Sequence, residues 1–153
     1  MPVSQWGAAP MFRHLTDSVL ASPQVSLSDL AEAQAQGVGL IINNRPEGES
    51  DDQVPGPEIE AAARALGMDY IAIPITHAGF SGPQIEAMAA ALAGGEAKIL
   101  AYCRSGTRST LLWALAAASK GADLDEVTAQ AAAAGYDVSP VRPLMDMLKA
   151  RSG

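Results

Sequence analysis

Apolar positions along the chain fall into short blocks separated by longer segments of helical periodicity, an alternation that predicts an α/β fold. Residues Val38 to Asn43 (VGLIIN), 70–75 (YIAIPI) and 98–102 (KILAY) are each too short for a stable helix, and the first is rich in β-branched side chains. Their apolarity is continuous rather than alternating, as in parallel strands covered on both faces. The stretch Leu15 to Ser22, ahead of Pro23, predicts a further strand at a sheet edge.

Helix-type segments lie between these blocks. Ser26 and Asp29 form a capping-box pattern before Leu30, with the helix ending at Gly37. Pro57 suits a first helical position, and Ile59, Ala62, Ala63 and Leu66 follow as an apolar stripe up to Gly67. Ser81 with Gln84 opens a third helix that reaches about Ala93 before Gly94-Gly95. Thr107 to Lys120 reads as a mostly apolar, buried helix, Asp123 and Glu126 cap another through Ala134, and Ser139-Pro140 starts a last one. The expected architecture is one compact domain over residues 1–153, with a mainly parallel central sheet flanked by helices and C-terminal helices within 123–150. Open α/β sheets bind ligands beyond the carboxyl ends of their strands. Three loops leave such ends here. They are the polar, acidic, exposed-looking 44–56, the glycine-containing 76–82, and 103–107.

The 153 residues fit one domain, and the 48% hydrophobic, 18% charged composition is that of a folded chain. Ten basic against seventeen acidic residues give a net charge of -7, which argues against a nucleic-acid partner. No basic amphipathic run points to a membrane surface, and no apolar stretch has the roughly 18 residues of a spanning helix. The first twenty residues show no secretory signal pattern, so the expected compartment is cytoplasmic. One cysteine, Cys103, excludes an intrachain disulfide or a multi-thiolate metal site. His14 and His77 have no spaced carboxylate partners, so no metal and no cofactor is expected. Oligomeric state is not legible from the sequence.

The most specific local signal is Tyr102-Cys103-Arg104-Ser105-Gly106-Thr107-Arg108-Ser109, at a strand-to-helix junction. A loop in that place can curl so that successive backbone N–H groups face one concavity, reinforced by the helix N-terminus. Gly106 permits the bend, and Arg108 can grip an oxyanion through two N–H groups. Cys103 would feel those amides and two arginines, which favour the thiolate, a nucleophile aimed at a small oxyanionic substrate. Ser109 could donate a hydrogen bond to the sulfur. Substrate-binding candidates in the loop are Arg104, Ser105, Gly106 and Thr107. Asn43 and Arg45 leave the first strand towards the same rim, where they either orient substrate or scaffold the loop. His77 is either a solvent-exposed loop residue or a proton donor.

The cysteine loop resembles the active-site loop of cysteine-dependent protein phosphatases and rhodanese-type sulfurtransferases. The chain further resembles the phosphatase-like domain of bacterial beta-lactamase hydrolase-like proteins. The matching features are Leu15-Thr16-Asp17 to Ser22-Pro23-Gln24, Ile42-Asn43-Asn44-Arg45-Pro46-Glu47-Gly48-Glu49, Ile73-Pro74-Ile75, and Tyr102 to Ser109 with Leu112-Trp113-Ala114. They span about residues 11–120. The resemblance implies a dual-specificity-phosphatase-like fold of the protein tyrosine phosphatase type. It also implies either phosphatase or sulfurtransferase activity, the latter sometimes alongside a sulfur dioxygenase partner.

Spacing inclines the expectation towards sulfur. The phosphatase loop places its arginine six positions after the cysteine, whereas here Arg108 comes at five and Ser109 at six. Residues 70–85 contain no Asp or Glu to protonate a leaving alkoxide, a contribution of roughly 10²–10⁴-fold in general acid catalysis. Sulfite displaced from thiosulfate needs no such proton. The leading expectation is therefore a sulfurtransferase that forms a persulfide on Cys103 and passes it to an external thiol acceptor. The alternative is a cysteine phosphatase, and the third is a noncatalytic oxyanion-sensing module.

Overall fold

In a computed structural model, residues 12–95 and 97–152 are described; residues 1–11, part of the expected domain, lie outside them, as do 96 and 153. The chain runs β1 (Arg13–His14), β2 (Val19–Ser22), α1 (Leu27–Ala35), β3 (Val38–Asn43), α2 (Gly56–Ala65), β4 (Asp69–Ala72), α3 (Gly82–Ala93), β5 (Lys98–Tyr102), α4 (Thr107–Ser119), α5 (Leu124–Ala133), a 3₁₀ turn (Ser139–Val141) and α6 (Arg142–Ser152). The five strands form one sheet in the order β1-β2-β5-β3-β4. All neighbours pair in parallel except the short β1. The expected α/β fold with a mainly parallel sheet is therefore present.

Alternation along the strands divides the interior between the two faces. Leu20, Ile41, Leu100 and Tyr102 face one cluster, which takes in Leu30 and Ala33 of α1 and Ile59 and Ala63 of α2. Val19, Ala21, Ile42, Ile99 and Ala101 face the other, completed by α3, α4, α5 and α6. Helix α4 is the spine of that second layer: eight of its 13 residues are buried. Both expected capping boxes form, at Ser26 with Asp29 and at Ser81 with Gln84, and Asp123 caps α5.

Three expectations need correction. The strand foreseen at an edge is β2, and it lies inside the sheet between β1 and β5 with all four residues buried. The strand expected over 70–75 stops at Ala72. Pro74 has no N–H to give a ladder, and its neighbours Ile73 and Ile75 donate instead to the carbonyls of Asn43 and Asn44 (2.9 and 3.0 Å). The last helix starts at Arg142, because Ser139-Pro140 begins a 3₁₀ turn that precedes it.

Because β2, β3, β4 and β5 are parallel, the segments after each of them emerge at one rim. Hydrogen bonds across that rim join them: Cys103 N–H donates to the Ser22 carbonyl (3.3 Å), Gln24 N–H to the Arg104 carbonyl (3.3 Å), and Asn44 N–H to the Tyr102 carbonyl (2.8 Å).

Candidate active site

Beyond Tyr102, strand alternation turns Cys103 towards the α4 layer. The chain then bends at Gly106, the N-cap of α4, whose φ of 90° lies in the left-handed region. The bend brings the Gly106 N–H onto the Cys103 Sγ at 3.1 Å. The loop is clamped to the helix by Thr110, whose hydroxyl donates to the Gly106 carbonyl at 2.9 Å. Cys103 is fully buried, and its sulfur accepts a hydrogen bond from a peptide N–H. Among the described residues the amides of Arg104, Ser105 and Arg108 have no protein acceptor, as is usual where a loop enters a helix.

Space around Gly106 is as restrictive as its backbone. A Cβ there would collide with the Tyr136 hydroxyl and lie 3.2 Å from the Ser22 carbonyl carbon. Left-handed backbone strain and overpacking add, so Gly106→Ala is expected to lose about 2 kcal/mol of stability. Urea unfolding checks this, and an unchanged midpoint would mean that the turn has slack.

Arg108 is aimed by a residue outside the cysteine loop. Its Nη1 and Nη2 donate to Oε2 and Oε1 of Glu49, both at 2.7 Å, and Nη1 also donates to the Ile75 carbonyl at 2.9 Å. A guanidinium has five N–H donors in a fixed fork. Those three bonds leave Nε–H and one Nη2 hydrogen, which share an edge and can grip an oxyanion with two bonds. Glu49 is in turn held by Arg45 Nε at 2.9 Å. The hydrogen bonds from Arg108, then those from Arg45, outweigh burial and lower the Glu49 carboxyl from 4.5 to about 2. Arg108 is held further above its ordinary value, first by its bonds to Glu49. Glu49 thus brings loop 44–56 to the cysteine loop, and the Ile75 carbonyl brings there the residue that immediately precedes loop 76–82.

The structure sorts the remaining candidates. Arg45 is 4% exposed and donates to Glu49, Gln24 and Ser50, the latter two at 2.9 Å. Asn43 is buried, donating to the Tyr70 hydroxyl and accepting from the Arg45 N–H, both at 2.9 Å. All of these bonds lie within the protein and hold the loop that follows β3. Ser109 does not bond the sulfur: its hydroxyl is buried without a hydrogen-bond partner, and the bond to Sγ comes from the Gly106 amide. Ser105 and Thr107 are exposed and bonded to each other, hydroxyl to hydroxyl at 3.0 Å. Arg104 is exposed at the rim, and its charge helps lower Asp52, whose main stabiliser is the Ser50 hydroxyl. His77 is exposed two residues beyond the Ile75 carbonyl that Arg108 holds. No group of three or more metal-ligating side chains is assembled among the described residues.

Glu49 is the central residue that sequence reasoning missed. Loop 44–56 reads as solvated surface, and only the i,i+4 spacing of Arg45 and Glu49 hints at pairing. The contact to Arg108 crosses 59 positions.

Residues 11–120 match the model of the family described as beta-lactamase hydrolase-like protein, phosphatase-like domain. The chain belongs to this family. A beta-lactamase hydrolase-like protein of Xylella fastidiosa is 34% identical over 126 residues, which are 81% of this chain and 29% of that protein. One from Agrobacterium fabrum is 33% identical over 107 residues, 70% of this chain and 25% of the relative. The phosphatase-like domain thus spans under a third of the length of these relatives. Among solved structures, a candidate phosphatase from Neisseria meningitidis has a TM-score of 0.80 at 28% identity, covering 92% of this chain and 99% of that one. Tk-PTP, at 17% identity and a TM-score of 0.65 over 93% of this chain and 98% of its own, shares the fold. The expected dual-specificity-phosphatase-like architecture is thereby established. No helix among the described residues is long and apolar enough to cross a membrane.

Proposed function

We propose that this phosphatase-like domain is a cysteine-dependent hydrolase of small phosphomonoesters. The observation that carries the reading is the Gly106 N–H at 3.1 Å from Sγ beside an Arg108 whose outer edge is unengaged. A phosphoryl group gripped by that edge and by the loop amides lies within reach of the thiolate. Sγ attacks phosphorus, the bond to the ester oxygen breaks, and that oxygen leaves with the electron pair and takes a proton. Water then cleaves the S–P bond, releasing phosphate and restoring the thiolate. The cradle stabilises charge on the transferring oxygens, an electrostatic contribution of about 10²–10³-fold per donor in comparable sites. Glu49, ionised down to a pH of about 2, cannot supply the leaving-group proton. Activity is therefore expected to favour aryl esters, whose phenoxide leaves readily, and His77 is the loop's candidate donor for poorer leaving groups.

The same site supports a second reading, favoured by the five-position Cys103-to-Arg108 spacing and by that locked carboxylate. The thiolate would attack the outer sulfur of thiosulfate, forming an S–S bond as sulfite departs with its electron pair. One experiment separates the two. The protein is incubated with p-nitrophenyl phosphate or with thiosulfate, acid-quenched and weighed intact. Turnover of the aryl phosphate with a phosphoryl group trapped on Cys103 is the expected result. A one-sulfur gain from thiosulfate without aryl phosphate turnover would replace the first reading by the second. Inertness to both would leave an oxyanion-binding module.

A further inference from the structure

Tyr136 follows α5 and lies beyond residues 11–120, the part of the chain the family model matches. Its hydroxyl donates to the Ser105 carbonyl at 3.2 Å and packs on Gly106 so closely that no Cβ fits there. The Ser105 carbonyl and the Gly106 N–H belong to one planar peptide unit. One end of that unit is held by Tyr136, and the other donates to the Cys103 sulfur at 3.1 Å. We propose that Tyr136 is a positioning residue for Cys103, acting through the 105–106 peptide, which it pins in the orientation that points an N–H at the sulfur.

The need for a pin follows from Gly106 itself. Glycine crosses between positive and negative φ without a Cβ penalty, so this peptide is the one in the loop free to rotate about its flanking bonds. Rotated by half a turn, it would present a carbonyl oxygen to the sulfur, and the thiolate would face a negative dipole end. A hydrogen bond at the carbonyl also polarises the peptide and strengthens its N–H as a donor. Tyr136 is itself fastened. The Arg13 guanidinium lies 5.8 Å from its ring centroid, and Arg13 Nη1 donates to the Ala134 carbonyl at 3.0 Å. Burial raises the Tyr136 phenol above its ordinary value, outweighing the opposing pull of the Arg13 charge. The hydroxyl therefore stays protonated as a donor through the neutral range.

The proposal rests on Cys103 being the reactive group, but its test requires no substrate, so failure of the phosphatase reading leaves it standing. Tyr136→Phe removes the hydroxyl and keeps the ring. The amide proton of Gly106 is expected to move upfield in the NMR spectrum while the remaining dispersion is retained. Alkylation of Cys103 by iodoacetamide near neutral pH is expected to slow about two- to five-fold, the effect of one ordinary hydrogen bond moderated by the compensating rise in thiol nucleophilicity. Arg13→Met, which loosens the ring and leaves the hydroxyl, should shift both readouts the same way by less. If either the Gly106 signal or the alkylation rate of Tyr136→Phe stays at its wild-type value, the proposal is wrong.

Discussion

Cys103→Ser is expected to remove turnover altogether while leaving the fold in place. Loss of a nucleophile costs on the order of 10⁴–10⁶-fold in enzymes of comparable design, because the residual binding machinery alone accelerates little. The fold should tolerate the change because a serine hydroxyl is smaller than the thiol and can accept the same Gly106 N–H that now meets the sulfur. The oxyanion should still bind, since Arg108 and the loop amides are untouched. Activity assay, circular dichroism and phosphate titration together check this. Turnover surviving in the serine variant would mean that the reaction uses another group.

Glu49→Gln carries the second largest expected effect, acting on stability and rate at once. Glu49 Oε1 accepts from both Arg45 and Arg108, and Oε2 accepts from Arg108. A glutamine loses the charge and turns one acceptor into a donor facing a guanidinium. Arg45, 4% exposed, would be left as a poorly compensated buried cation. Glu49 and Arg108 are 19% and 22% exposed. The cost is therefore below that of a fully enclosed pair, about 2–3 kcal/mol. Arg108 would lose its aim, and misplacement of a binding group by an ångström costs roughly 10²-fold in rate.

The acid response supplies a further signature. The folded-state carboxyl is lowered from 4.5 to about 2, so its ionisation stabilises the fold fully above 4.5 and progressively less as pH falls towards 2. The wild type should lose urea resistance over that window, whereas Glu49→Gln should lose distinctly less. Parallel acid profiles for the two proteins would contradict the assigned pairing.

What the sequence made legible was local. The bounds of β3 and β5, the two capping boxes and the cysteine loop follow from patterns confined to a few neighbouring residues. So does the emergence of three loops at one rim, once the strands are read as parallel. What stayed hidden depends on contacts between distant segments. Pairing of β2 with β5 joins residues eighty positions apart, so Val19–Ser22 read as an edge rather than an interior strand. The acidic loop looked solvated because nothing local distinguishes a free carboxylate from one gripped by arginines. Ser109 was expected to bond the sulfur because it follows Arg108, but it sits in the first turn of α4 with its hydroxyl buried and unpartnered. Tyr136 gave no signal at all, since its partners Arg13 and Ser105 lie far away in sequence.

Helix α4 settles how such a site can vary. With eight of its 13 residues sealed in the interior, its first turn cannot drift without disturbing the whole hydrophobic slab, so the backbone that carries Arg108 keeps one position. Residues 76–82, by contrast, are exposed or half-buried throughout. Selectivity can be redrawn there, through the reach and charge of that one loop, while the cysteine loop and its Glu49–Arg108 brace stay constant.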